Sequence, residues 1–304
     1  MSTASATFAA GTARTMHAAL YGDLALHPGV SGEPDIYGPF YARSAAMGWL
    51  TPATEQASSG VWGMNDAEVT PHAGPDPACA AFFQVVLTGG FADGLLPVAP
   101  LLAAARDSLA RLGTLRLDAI QVLLPERDPP SPGQAASPAG QLLASSLIPA
   151  AGWFDHRDPD WLTRIRVTLD GGPDPAFSSA VSDLAERLRG LRPSVFTCES
   201  WSMDQDDHLI LWPALFDDDA SYPHHRISLW GTLPEWSLDS LGWLAAMLSD
   251  VITRQGITSP LMFSADKEAP DQSHGQRRPA TGQPPPAGLA SPTRISARQR
   301  PGRA

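Results

Sequence analysis

Arg164-Ile165-Arg166-Val167-Thr168-Leu169-Asp170-Gly171-Gly172 alternates polar and apolar residues and then breaks on an Asp-Gly-Gly turn. A period of two is the mark of a strand with one buried face, so Ile165, Val167 and Leu169 point into a core. Past the turn, Asp174-Pro175 reads as an N-cap followed by a proline in the first helical position. Phe177, Val181, Leu184, Leu188 and Leu191 then recur at steps of three and four, which lays a single apolar stripe along a helix. Ser194 to Ser200 reads as the strand that follows.

The same order of signals occurs twice more. Upstream, Phe82-Phe83-Gln84-Val85-Val86-Leu87 leads through Thr88-Gly89-Gly90 to a helix carrying Val98, Leu101, Leu102, Ala105, Leu109 and Leu112, and then to a strand from Leu115 to Leu124. Downstream, Arg226-Ile227-Ser228-Leu229-Trp230-Gly231 leads to a helix with Leu238, Leu241, Ala245, Leu248 and Val251 and a strand from Ser259 to Ser264. Thr232 with Glu235 has the spacing of a capping box. Gly113 and Gly256 stand where a left-handed residue would stop a helix. His208-Leu209-Ile210-Leu211-Trp212 is expected to form a hairpin with Arg226 to Trp230, with Pro213 at an edge or bulge because it cannot donate to a ladder.

Three strand-helix-strand units, each with a right-handed crossover between parallel strands, plus one hairpin imply a mixed sheet with its helices on one face. The fold class is therefore α/β (α+β): a two-layer sandwich, or a pseudo-repeated split βαβ arrangement, over residues 81–265, with a long Pro-rich loop at 125–150. Residues 1–80 show weak periodicity. They are expected to be an irregular segment packed on the body, with a short helix near Ala13 to Tyr21. Their aromatics (Tyr21, Tyr37, Phe40, Tyr41, Trp49, Trp62) argue for order. Residues 266–304, with Pro284, Pro285 and Pro286 and scattered arginines, read as a disordered tail.

Charge divides the same way. Residues 269–304 hold six arginines against Asp271, a net of +5, which leaves −16 on residues 1–268 of a chain whose total is −11. An acidic body repels phosphate backbones, so no nucleic acid is expected at the core. Lys267 is the only lysine, which argues against a Schiff-base cofactor or a Walker-type nucleotide clamp; no cofactor is expected. The two cysteines, Cys79 and Cys198, fit a reducing compartment. Arg14 and His17 interrupt any leader-like apolar run, and no stretch is long enough to span a bilayer, so a cytoplasmic protein is expected.

The richest cluster of ligand-type residues is Asp204, Asp206, Asp207 and His208, followed by Asp217, Asp218, Asp219, His224 and His225. An eight-residue strand between the two groups would hold them about 26 Å apart at ~3.3 Å per residue, so they cannot share a metal. Asp217, Asp218 and Asp219 with the two histidines read most simply as a solvated hairpin loop. His156, between Asp155 and Asp158, has the form of a carboxylate-oriented base and equally of an exposed loop histidine. Nine tryptophans are many for this length. Trp201, Trp212, Trp230, Trp236 and Trp243 gather around the hairpin and third helix, and tryptophan is enriched at interface hot spots.

The function this supports is a non-enzymatic interaction protein (accessory, chaperone-like or neutralising) that meets another, basic, protein through an acidic surface bearing Trp212, Trp230, Trp236, Trp243, Asp217, Asp218 and Asp219. The alternative is a hydrolase or transferase, possibly metal-dependent, built from His156, His208 and the Asp217 to His225 loop.

Overall fold

Thr163–Asp170 is a strand, and Ile165, Val167 and Leu169 on it are fully buried, in the computed structural model of the chain. The structure describes residues 14–30, 34–51, 60–64, 79–88, 95–127, 162–190, 196–203 and 225–268. In chain order these form β1 (Thr15–Leu26), α1 (Tyr37–Ala46), β2 (Trp62–Met64), β3 (Cys79–Leu87), α2 (Val98–Leu112), β4 (Gly113–Leu124), β5 (Thr163–Asp170), α3 (Pro175–Gly190), β6 (Thr197–Ser202), β7 (Arg226–Leu233), α4 (Leu238–Thr253) and β8 (Leu261–Lys267). The fold is mixed α+β. The eight strands make one sheet in the order β2-β3-β1-β4-β8-β5-β7-β6, so Leu87, Leu169 and Leu229 lie in the same sheet. Of the loop expected at 125–150 only residues 125–127 are described, and of the tail expected at 266–304 only residues 266–268; the rest lie outside the described residues.

Every pairing between these strands is antiparallel, not mixed as the crossover argument implied. The reason is insertion. β3 and β4, joined through α2, flank β1. β7 and β8, joined through α4, flank β5, while β5 and β6 flank β7. Each helix-linked pair therefore runs in one direction with an opposed strand between its members. β8 is the seam: it pairs with β4 on one side and β5 on the other, joining the first four strands to the last three. It continues through Asp266 and Lys267, past the boundary at 265.

The helix expected near Ala13 to Tyr21 is instead β1, a strand in the interior of the sheet. Met16, Ala18 and Leu20 join the main apolar cluster, while Ala19 and Tyr21 join a separate small one with Ala119. From Thr15 to Tyr21 both faces of β1 are covered, so this stretch lacks alternation, and its alanines imitate a helix. Of the expected hairpin between His208–Trp212 and Arg226–Trp230, the first strand and Pro213 lie outside the described residues. β7 pairs with β5 along its length and with β6 over Ser228–Thr232.

All four helices contribute to the main cluster, through Phe40 on α1, Leu101 and Leu102 on α2, Phe177, Val181 and Leu184 on α3, and Leu241, Leu244 and Leu248 on α4. Each fully buried leucine contributes about 1.5–3 kcal/mol. α2 and α4 approach closely because Gly242 lies against the Ala99 backbone, where a Cβ would meet Ala99 Cα at 2.8 Å. α3 starts as its sequence implies, with the Ala176 N–H donating to Asp174 Oδ1 at 2.8 Å. α4 does not use Thr232 and Glu235 as a box, since Thr232 is still in β7. Ser237 caps it instead, accepting from the Ser240 N–H, and its hydroxyl donates to Glu235. Gly256 adopts the left-handed φ of 84° expected after a helix. Gly113 is extended at φ 179° and opens β4.

Candidate functional site

Strand alternation sends the residues between those of the main cluster to the opposite face of the sheet. Three rows in register cross that face. One contains Gln84, His17, Leu123, Met262, Asp170 and Arg226. The next contains Phe82, Ala19, Gln121, Ser264, Thr168, Ser228 and Ser202. The third runs Tyr21, Ala119, Asp266, Arg166, Trp230 and Ser200. The face behind the helices is thus polar, and it carries the chemistry of the described residues.

Its first half, over β3, β1, β4 and β8, is buried. Tyr21 donates to Gln121 Oε1 at 3.3 Å, and Gln121 Nε2 donates to Ser264 Oγ at 3.3 Å, a relay across three strands. His17 is only 2% exposed and lies 5.7 Å, centroid to centroid, from the Phe82 ring. Burial disfavours its charged form and lowers its pKa from 6.5 to about 4, so the imidazole is neutral at pH 7. Burial raises the Tyr21 phenol, with Cys79 adding to the effect, and it also raises the Cys79 thiol. Both groups stay protonated.

The second half, over β5, β7 and β6, is half-open. Asp170 is its most enclosed charge. The Arg226 Nε donates to Asp170 Oδ2 at 2.6 Å, and the Gly172 N–H donates to Asp170 Oδ1 at 2.8 Å. This pins the Gly171-Gly172 turn to the end of β5. Arg166 Nε meets Asp266 Oδ2 at 3.2 Å; burial raises the Asp266 carboxyl and Arg166 opposes that shift. Thr168 and Ser228 share a hydrogen bond of 3.2 Å. Half-buried Trp230 stands beside Arg166 on one side and Ser200 on the other.

Of the residues singled out from sequence, Trp230 lies on this polar face, while Trp236 and Trp243 pack against the main cluster on the helical side. Trp236 is fixed there: its Nε1 donates to the Leu117 carbonyl at 2.8 Å, and Lys267 Nζ sits 5.4 Å above its ring. The three tryptophans therefore form no single patch. Trp212, Asp217, Asp218 and Asp219, with His156, His208 and His224, lie outside the described residues. His225 is described, and its backbone exchanges hydrogen bonds with Gly171 and Gly172. Among the described residues no three His, Cys, Asp or Glu side chains are grouped to hold a metal, and no helix is long and apolar enough to cross a membrane. Cys79 on β3 and Cys198 on β6 are six strands apart, about 29 Å at ~4.8 Å per strand, so they cannot bond to each other.

Sequence reasoning missed His17, Tyr21, Gln121, Asp170 and Arg226. The available signal was a polar residue inside an apolar run, as with His17 in Met16-His17-Ala18-Ala19-Leu20 and Gln121 in Ile120-Gln121-Val122-Leu123. No protein-family model matches the chain, and no curated protein or solved structure is significantly similar to it.

Proposed function

We propose that the protein is a non-enzymatic, cytoplasmic interaction protein that holds a basic segment of another protein against the half-open polar face around Trp230. The observation that carries this reading is the strip Asp266, Arg166, Trp230 and Ser200, which crosses four strands on the face turned away from the helices. An indole beside hydroxyls and paired charges suits an arginine or lysine side chain, which stacks on the ring and hydrogen-bonds at its rim. The net charge of −16 on residues 1–268 would steer such a partner by long-range attraction. In this reading the three strand-helix-strand segments are pseudo-equivalent units of a two-layer sandwich. The helical layer is then the scaffold and the opposite sheet face the working surface.

The two sheet margins are poor alternatives for docking. β2 has three residues, while β6 has six, with a bulge between Cys198 and Ser200 and an exposed Glu199. Short, bulged and charged edges resist strand addition.

The test is calorimetric titration of the full chain with an arginine-rich peptide at low salt and at about 0.3 M salt. Binding that weakens with salt, and weakens about tenfold in Trp230→Ala, a loss of ~1.4 kcal/mol, is the expected result. Equal affinity for wild type and Trp230→Ala would refute the assignment of this face.

A further inference from the structure

The three rows of the polar face contain two carboxylates, Asp170 and Asp266, and an arginine already holds each of them. A basic segment drawn to these rows can therefore engage a carboxylate only by taking the place of a resident arginine. The two pairs differ in how firmly they are closed. Arg226 and Asp170 are 7% and 10% exposed and meet at 2.6 Å, and the second oxygen of Asp170 accepts from the Gly172 N–H at 2.8 Å. Opening that pair would strand an enclosed guanidinium and unpin the turn after β5. Arg166 and Asp266 are 25% and 21% exposed and meet through Nε at 3.2 Å. An ion pair so open to water contributes little and opens at small cost. Burial raises the Asp266 carboxyl in spite of Arg166, with Glu268 adding to the rise, so the resident arginine leaves part of the cost of enclosing this charge uncompensated. Register completes the case: Arg166 stands directly opposite Asp266 on one side and directly opposite Trp230 on the other.

We infer that Arg166 is a resident stand-in for an arginine of the partner: on binding, the incoming guanidinium takes Asp266 and covers Trp230, and Arg166 turns out into water. This rests on the reading of the face as the seat of a basic segment, and it fixes the residue that the segment must offer. A guanidinium is planar, so it bonds a carboxylate with its edge while lying on an indole with its face, and a compact ammonium cannot do both in that way. Arginine is thus selected over lysine. Arg166 sets the threshold of affinity, because it competes for the same carboxylate.

Calorimetric titration of the full chain at low salt, with an arginine-rich peptide and with a lysine peptide of equal length, tests the exchange. Arg166→Gln removes the competitor and is expected to tighten the arginine peptide about tenfold. Arg164→Gln removes the same charge from an exposed position two residues away on the same face and should tighten it about twofold at most. Asp266→Asn, which keeps the shape of the side chain, should weaken it about tenfold, and the lysine peptide should bind wild type about tenfold more weakly than the arginine one. Each variant is checked for an unchanged melting curve. In NMR the Arg166 Nε–H signal, assigned by its loss in Arg166→Gln, should move on saturation with the arginine peptide as its bond to Asp266 breaks. If wild type binds and Trp230→Ala weakens it, but Arg166→Gln and Arg164→Gln tighten it equally, net charge governs and the exchange is overturned while the face keeps its assignment. An unmoved Nε–H signal in the saturated complex, or equal affinity for the two peptides, overturns the exchange in the same way. A chain that binds neither peptide, with or without Arg166, refutes the reading of the face itself and the exchange with it.

Discussion

His17 ties stability to pH in a way that can be worked through from its position. It is nearly fully buried in β1, and desolvation lowers its pKa from 6.5 to about 4. In the unfolded chain the imidazole takes up a proton near pH 6.5, whereas in the fold it does so only near pH 4. Between these values the unfolded state binds more protons, so folding stability is full above about pH 7 and is lost as pH falls through that window. Integrating a shift of about 2.5 units gives a loss of about 2 kcal/mol at pH 5 and about 3 kcal/mol at pH 4, relative to pH 7.5. Asp239 and Asp266, whose carboxyls burial raises, act in the opposite sense: their contribution is present at low pH and fades as pH rises past the ordinary carboxylate range. Comparison with His17→Gln, which cannot titrate, removes those terms. Urea unfolding of both chains at pH 7.5 and pH 5 is the assay. His17→Gln should be the less stable at pH 7.5, and wild type should lose about 2 kcal/mol more than the variant on acidification. Equal losses in the two chains, or an imidazole that titrates near 6.5 in the folded protein by NMR, would refute the reasoning.

Asp170→Ala leaves the Arg226 guanidinium enclosed without its carboxylate and should cost about 3–5 kcal/mol in urea unfolding, whereas Asp170→Leu with Arg226→Met should recover most of that loss. Ser237→Ala removes the α4 cap and should cost about 1 kcal/mol by the same measurement, with Ser237→Asn close to wild type. Gly231→Ala pushes a Cβ against the Thr197 carbonyl and the Phe196 ring, so amide exchange in β6 should accelerate at least about tenfold while exchange in β1 and β4 is unchanged. Neither cysteine is in a disulfide, and both should alkylate fully in the unfolded chain without reductant, as shown by intact mass.

How far the sequence could be read depended on whether one face or two were buried. α2 shows its stripe because one side of it faces water, and β5 and β7 alternate because one face of each is half-open; α4 keeps a legible stripe although none of its residues is fully exposed, and all four can be placed within a few residues from pattern alone. β1 is buried on both sides, and Met16 to Tyr21 show no period that would separate a strand from a helix. The sheet order was beyond reach, because a crossover helix specifies that its strands share a direction and not whether another strand stands between them. The polar face failed to appear for a related reason. Gln121, Ser264 and Thr168 are 143 residues apart at the extremes and become neighbours only through register. The tryptophans, by contrast, are close in sequence, yet the parity of β7 sends Trp230 to one side while Trp236 and Trp243 stay on the other.

The position of β8 as seam also sets a schedule for the growing chain. β4 and β5 each keep one margin unpaired until Leu261–Lys267 has been made, and from Asp170 that is nearly 100 residues, about 5–20 s at ribosomal rates of ~5–20 residues per second. From the completion of β7 until β8 is made, the nascent protein consists of two half-sheets with raw, apolar-rich flanks, a form open to mispairing with other chains. Quality control of this protein is thus concentrated in β8, and a nonsense mutation shortly before it would release two sticky halves rather than a shortened whole.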